Sequence, residues 1–158
     1  MFEIRQVTDD DEAWIEELLV RRWTSILQVT WGQVHDASKV PAYVATGDGQ
    51  RVGLITYRID GASCEIVTLD SVLENQGVGT ALVEAVRAAA TSAGCTRLWL
   101  ITTNDNLHAL RFWQKRGFRL VAVHRDVVAE SRRLKPSIPL VGRDGIPIRD
   151  ELELEATL

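Results

Sequence analysis

The pattern of apolar and polar residues predicts seven short strands and three helices. Apolar residues alternate with polar ones, or form short β-branched runs, in the segments expected to be strands, which are residues 2–7, 42–46, 51–59, 64–69, 97–103, 118–128 and 151–158. Helical spacing is found in residues 8–23, in the segment before Gly94, and in a short segment that ends at Arg116. This order predicts an α+β fold with a mostly antiparallel sheet and helices between its central strands.

Two segments lack a clear period. Residues 24–40 are interrupted at Trp31 and Gly32, and we expect them to be irregular. Residues 129–148 contain Pro136, Pro139 and Pro147, so a long loop is expected there. Neither segment is rich enough in Gly, Ser or Pro to separate two domains, and a single domain over residues 1–158 is predicted.

Composition restricts the possible functions. Hydrophobic residues make up 46% and charged residues 25% of the 158 residues, which is usual for a soluble protein, and no apolar run reaches the roughly 18 residues of a membrane span. The first residues do not have the pattern of a secretory signal, so a cytoplasmic protein is expected. A net charge of -4 argues against a nucleic-acid-binding surface. Cys64 and Cys95 are expected to be free and buried, and no metal-ligand spacing is present.

A turn with two glycines joins the fourth predicted strand to the next helix. It reads Glu74-Asn75-Gln76-Gly77-Val78-Gly79. Free amides at a helix N-terminus, the helix dipole and a main chain without Cβ atoms all favour an anion such as phosphate. Residues 80–82 contain neither the Lys of a phosphate-binding loop nor the third small residue of a dinucleotide fingerprint. A phosphate site of another kind and a plain strand-to-helix connection both stay open.

A second motif follows the fifth predicted strand. Residues 106–118 read Asn-Leu-His-Ala-Leu-Arg-Phe-Trp-Gln-Lys-Arg-Gly-Phe. Asn106, or Asn104 before it, is expected to cap a short helix. Together, the glycine turn and this helix resemble the GNAT superfamily of acyl-CoA N-acyltransferases, whose motifs are (Gln/Arg)-x-x-Gly-x-(Gly/Ala) and Asn-x-x-Ala-x-x-hydrophobic-aromatic-x-x-x-Gly-Phe. Glu74 departs from the first motif, since Gln or Arg is usual at its position.

The resemblance implies a sheet splayed between its fourth and fifth strands, acetyl-CoA as cosubstrate, and an amine of a small molecule or peptide as acceptor. Main-chain groups at the end of the fourth strand would contact the pantetheine arm, the turn would hold the pyrophosphate, and two side chains of the second motif would face the cofactor. These residues are Val67, Thr68, Leu69, Asn75, Gln76, Gly77, Val78, Gly79, Thr80, Asn106 and Trp113.

Proton transfer is the part of this implied chemistry in which the sequence departs from the family. Trp113 occupies the position at which many family members have a tyrosine that protonates the leaving thiolate, and an indole cannot replace that acid. Tyr57 or water could protonate the thiolate, or it could leave unassisted; otherwise the protein is a non-catalytic acyl-CoA-binding or sensor module. Asp70 and Glu65 are the candidate general bases. Strand alternation puts them on opposite faces of the sheet, and Asp70 is preferred.

Acceptor recognition is expected from the two irregular segments. Trp23, Trp31 and His35 could line an entrance. The basic residues 131–136 could bind an acidic acceptor or the ribose phosphate, or could pair with the acids at residues 150–153. The last strand, residues 151–158, is expected to be half-exposed and could pair with a second copy in a homodimer.

Overall fold

A seven-stranded, mostly antiparallel sheet forms the centre of the protein. The computed structural model describes residues 1–30 and 32–158. The strands are β1 (Phe2–Gln6), β2 (Leu27–Thr30), β3 (Gln33–Asp36), β4 (Ala42–Gly47), β5 (Gln50–Asp60), β6 (Ser63–Ser71), β7 (Arg97–Thr103), β8 (Arg119–His124) and β9 (Glu151–Thr157). The order in the main sheet is β1-β4-β5-β6-β7-β9-β8, while β2 and β3 form a separate hairpin. The predicted fold class is therefore confirmed.

Helices cover both faces of the sheet. They are α1 (Glu12–Trp23), α2 (Val78–Ser92), α3 (Leu107–Lys115) and α4 (Val128–Leu134), with 3-10 turns at Asp9–Asp11 and Arg143–Gly145. On one face, α2 buries Val78, Leu82, Val86 and Ala90, which recur every four residues and so form one apolar stripe. On the other face, α1 buries an apolar cluster over the middle of the sheet. None of the described helices is long and apolar enough to cross a membrane.

The two central strands β6 and β7 separate along their length. They run parallel and pair only over Ser63–Glu65 and Arg97–Trp99. Beyond that point β6 stays paired with β5, and β7 stays paired with β9 up to Thr103. The remaining lengths of β6 and β7 diverge and leave a wedge between them. This wedge is the splay expected between the fourth and fifth strands of the predicted sheet, which are β6 and β7.

Both segments predicted to be irregular contain regular structure. Residues 24–40 include the hairpin β2–β3, which turns near Gly32 at a φ of 73°; Trp31 lies outside the described residues. Residues 129–148 include most of α4 and the 3-10 turn. The preceding strand is accordingly shorter than the predicted 118–128, because a turn at Asp126, with φ at 61°, ends it after His124.

The last strand is not the exposed edge that its alternating acids suggested. β9 lies between β7 and β8, and residues 151–154 are buried. Two of its acidic side chains are paired within the protein, since Arg97 binds Glu153 and Glu155 and His124 also contacts Glu153. The third, Glu151, accepts a hydrogen bond from Ser131. The edge strand on this side is β8, so the reason for expecting dimer pairing through residues 151–158 was wrong.

Candidate active site

A cleft of about 390 Å³ fills the wedge between β6 and β7. Its walls are residues 66–71 of β6, residues 100–102 of β7, the start of α2 and one face of α3. The sequence-predicted residues that line it are Val67, Thr68, Leu69, Asp70, Asn75, Gly77, Val78, Gly79, Thr80, Asn106 and Trp113. Gln76 is exposed on the turn, and Glu65 lines a separate pocket on the α1 face. The fold thus brings both motifs to one cavity.

The glycine turn uses its two glycines for different reasons. Gly77 has a φ of 81°, and a Cβ placed on it would have no heavy atom within 4 Å. The space beside it is therefore open to a ligand, and glycine is favoured by the backbone angle. Gly79 lies outside the left-handed region, and a Cβ placed there would come within 3.2 Å of the Phe112 ring. The sequence interpretation expected both glycines to adopt backbone angles closed to other residues and to leave room for a ligand. Such a backbone angle is found at Gly77 and not at Gly79.

Asn106 is the N-cap of α3. Its Oδ1 accepts a hydrogen bond from the amide of Ala109 at 3.1 Å, while the side chain borders the cleft. Asn104, the other predicted cap, has a different role. Its Oδ1 accepts from the amides of Arg149 and Asp150, and its Nδ2 donates to the carbonyl of Pro147, so it holds the chain just before β9.

The two candidate bases lie on the same face of the sheet, contrary to the expectation from strand alternation. Opposite β5, Tyr57 pairs with Ile66 and Thr56 with Thr68, so Val67 is an extra residue in β6. Such a β-bulge reverses the alternation beyond it. Ile66 and Leu69 consequently both pack into the α2-side core, and Glu65 and Asp70 both lie toward α1.

Asp70 and Glu65 have different surroundings. The indole Nε1 of Trp23 donates to Asp70 Oδ2 at 2.6 Å, and the carboxylate faces the cleft. Burial raises the pKa of Asp70, and the Trp23 hydrogen bond and Arg22 only partly oppose that shift. Glu65 is 3% exposed and accepts a hydrogen bond from Arg58 at 3.0 Å. Of the two candidate bases, Asp70 is therefore the one that lines the cleft, and its pKa is raised there by burial.

Comparisons with known proteins identify the family of this chain. The profile of the acetyltransferase (GNAT) family matches residues 3–118. The chain belongs to the GNAT family. It is 42% identical over 139 residues to the uncharacterised Bacillus subtilis (strain 168) protein YdhI, covering 87% of each chain. Membership supports acetyl transfer as the general activity.

Solved GNAT structures share the fold. An IAA acetyltransferase from Bacillus cereus ATCC 14579 superposes with a TM-score of 0.73 at 19% identity, over 100% of both chains. A GNAT acetyltransferase from Elizabethkingia anophelis, whose structure contains acetyl-CoA, gives a TM-score of 0.72 at 20% identity, over 99% of this chain and 98% of that one.

Trp113, the main departure from the GNAT pattern noted in the sequence, forms an apolar wall of the cleft. It is 6% exposed and packs edge-on against Phe112 and Phe118, with ring centroids 4.9 and 5.0 Å apart. Tyr57, proposed as a substitute acid, does not appear in the cleft lining among the described residues. It stacks on Tyr43, and burial, followed by the effect of Tyr43, raises its pKa to about 12. Tyr57 is therefore a weaker acid than an ordinary tyrosine and is not among the described residues that line the cleft.

The predicted acceptor residues are only partly at the cleft. Trp23 borders it and His35 does not, while Trp31 lies outside the described residues. The basic cluster 131–136 is largely used in packing. Arg132 donates to the carbonyls of residues 138, 139 and 148. Lys135 is buried, with its Nζ 3.2 Å from Gln28 Oε1. Burial lowers the pKa of Lys135 to about 8. These contacts match neither of the two predicted uses of the cluster, which were to bind an acidic acceptor or the ribose phosphate, and to pair with the acids at residues 150–153. Ser131 does donate to one of those acids, Glu151.

Several residues at the cleft were missed in the sequence interpretation. They are Arg22, His108, Phe112, Arg116 and Arg143. His108 and Arg116 lie at positions that the GNAT motif leaves open, so their type gave no signal, while Phe112 occupies the hydrophobic position of the motif, which does not by itself indicate a contact with the cleft. Helical spacing within the second motif could have found part of this set, since His108 and Phe112 are four residues apart and share a face.

Proposed function

We propose that this protein transfers an acetyl group from acetyl-CoA to an amine of a small molecule or peptide, by direct attack of the amine on the thioester. The observation that carries this proposal is the separation of β6 from β7, which opens a cleft directly onto the start of α2. A ligand with an anionic centre and a long uncharged arm fits such a cleft. The helix start would receive the anion, and the wedge between the strands would receive the arm.

The residues present are suited to the cofactor. The open space beside Gly77 leaves the first amides of α2 accessible to the pyrophosphate. Main-chain groups of Val67, Thr68 and Leu69 border the cleft on the β6 side, where the bulge interrupts pairing with β5. Because β6 pairs with β7 only up to Glu65, the main-chain groups of β6 that face the cleft beyond that point have no strand partner among the described residues and are free to bind a pantetheine amide or a thioester oxygen. Asn106 and Trp113 face them from α3.

Asp70 is the residue that we assign as general base. An amine attacks a thioester only in its neutral form, and a carboxylate whose pKa is raised accepts the ammonium proton more readily than an ordinary one. The Trp23 hydrogen bond fixes the orientation of Asp70 and leaves Oδ1 without a contact from Trp23. Glu65 is less suited, because it pairs with Arg58 and lines a separate pocket and not the cleft.

The thiolate leaves without a dedicated side-chain acid in this proposal. We expect Trp113→Tyr to leave kcat within about twofold of the wild-type value, because a thiol with a pKa near 8.5 is a tolerable leaving group. Steady-state kinetics with a saturating amine tests this expectation. An increase of about tenfold or more would mean that protonation of the thiolate limits turnover and that the tryptophan lowers the rate.

Glu74 should weaken cofactor binding slightly. We expect Glu74→Gln to tighten acetyl-CoA binding by about two- to fivefold, because an exposed acid next to a pyrophosphate repels it through water. Isothermal titration measures the effect. Glu84→Gln is the matched control, since Glu84 lies on the exposed side of α2 and pairs with Arg87. Equal affinities for wild type and both variants would show that Glu74 is too far from the pyrophosphate to matter.

A non-catalytic acyl-CoA sensor is the second candidate, and the buried Trp113 at the cleft is the observation that favours it. Incubation with acetyl-CoA and a panel of primary amines and N-terminal peptides, with free thiol followed over time, distinguishes the two. Amine-dependent thiol release supports the transferase. Binding of acetyl-CoA without thiol release on any acceptor supports the sensor, and no binding of acetyl-CoA contradicts both.

A further inference from the structure

Arg116, directly after α3, is held against the first turn of α2. Its Nε and Nη2 donate to Thr80 Oγ1 at 2.9 and 2.7 Å, and its Nη1 donates to the carbonyl of Phe112 at 2.8 Å. The guanidinium also lies over the Phe112 ring, 3.5 Å from the ring centroid. These contacts fix its position beside the residues that start α2 and along the lining of the cleft.

The contacts of Arg116 are all to neutral groups. In the described part of the chain, its hydrogen bonds go to a hydroxyl and a carbonyl oxygen, and its ring contact is to a phenyl group. A half-buried guanidinium without a carboxylate loses hydration and receives little in return. Burial accordingly lowers the pKa of Arg116. An anion in the cleft would supply the missing opposite charge through charge-assisted hydrogen bonds.

Phe112 and Gly79 together position this arginine. The guanidinium lies over the Phe112 ring, and the same ring lies close to Gly79, where a Cβ would come within 3.2 Å of two ring carbons. Glycine at position 79 lets the ring lie in close contact with the start of α2, and an alanine there would require the ring to move by a few tenths of an ångström. The contact between Gly79 and Phe112 joins the glycine turn to the second motif.

The charges around the glycine turn suggest the role of Arg116. The turn has an acid, Glu74, at the position that is Gln or Arg in the GNAT motif, so the turn itself brings no cation to the anion. We infer that Arg116 binds the pyrophosphate of the cofactor and replaces the cation that the turn lacks. This inference rests on the proposed function. It assigns to Arg116 a cofactor-binding contact, with Thr80 and Phe112 as positioning residues.

Binding measurements with three donors test the inference. Acetyl-CoA, its 3′-dephospho analogue and S-acetylpantetheine are titrated against wild type, Arg116→Gln and Arg111→Gln. Arg111 is the matched control, because it is an exposed arginine of α3 away from the cleft lining. We expect Arg116→Gln to lose about 10- to 100-fold in affinity for both pyrophosphate-containing donors. S-acetylpantetheine should bind this variant as it binds wild type, and Arg111→Gln should match wild type for all three donors.

Other results would overturn the assignment in recognisable ways. A loss for acetyl-CoA but not for the dephospho analogue would place Arg116 at the ribose phosphate instead. An equal loss for S-acetylpantetheine would indicate a purely structural role, and no loss beyond that of Arg111→Gln would remove any role in binding. Failure of wild type to bind acetyl-CoA would contradict the proposed function itself, and the inference with it.

Discussion

Replacement of Asp70 by asparagine is expected to lower kcat/KM for amine acetylation by about 100- to 10,000-fold, the usual range for loss of a general base. Asparagine can still accept the hydrogen bond from Trp23 Nε1, so the side chain should keep its place while losing the ability to take a proton. Steady-state kinetics across pH measures the effect. Because burial raises the pKa of Asp70, the acidic limb of the wild-type profile should lie above the ordinary carboxyl range and should disappear in the variant.

Glu65→Gln is the matched control for this prediction. It removes one carboxylate from the same strand and the same face, but Glu65 is paired with Arg58 outside the cleft. We expect a much smaller loss of kcat/KM than for Asp70→Asn. If Glu65→Gln has the larger effect, or if the acidic limb survives in Asp70→Asn, then Asp70 is not the base.

Replacement of Asp11 by alanine should lower the free energy of unfolding by about 3 kcal/mol, the largest stability effect that we expect from one polar side chain. Asp11 is fully buried and joins three elements. Arg5 of β1 donates to both of its oxygens at 2.8 and 2.9 Å, Arg51 of β5 donates at 2.7 Å, and the amide of Thr8 donates at 2.8 Å. The variant leaves two arginines and an amide without their common acceptor.

Denaturant unfolding measures this effect, and its pH dependence provides a second test. Arg5, as the main cause, lowers the pKa of Asp11 well below its usual value. Its stabilisation is therefore complete above the unfolded-state pKa of about 4 and is lost as pH falls through the lower folded-state pKa. The difference between wild type and Asp11→Ala should shrink only at such acidic pH. Asp9→Ala, an exposed acid in the same turn, should change stability by less than about 0.5 kcal/mol. Equal effects of the two substitutions would contradict the role of the buried network.

Much of the cofactor cleft could be predicted from the sequence because its parts are local. The glycine turn and the helix capped by Asn106 each lie within a dozen or so residues. The spacing of their residues therefore indicates the backbone conformation directly. The strand order that brings them together follows from the resemblance. Chain order alone could not reveal that β9 lies between β7 and β8, because its alternating acids indicate an exposed strand, whereas Arg97 pairs with Glu153 and Glu155 inside the protein.

The catalytic side of the site was harder to predict, because it depends on one inserted residue and on contacts between distant elements. No residue type marks Val67 as a bulge, yet the bulge moves Asp70 to the face of Glu65. Arg116 and Thr80 are 36 residues apart and meet only when α3 packs beside α2. In the sequence, Arg116 occupies a variable motif position, so nothing distinguished it from the exposed Arg111.

Transfer of a labelled acetyl group tests the central claim most directly. The protein is incubated with acetyl-CoA that carries an isotopic label in the acetyl group and with the amine that gives the fastest thiol release, and the acceptor is analysed by mass spectrometry. We expect the label to appear as an amide on the acceptor amine, in an amount equal to the thiol released, and Asp70→Asn to suppress both. Label recovered only as free acetate or unreacted acetyl-CoA would contradict acetyl transfer to an amine.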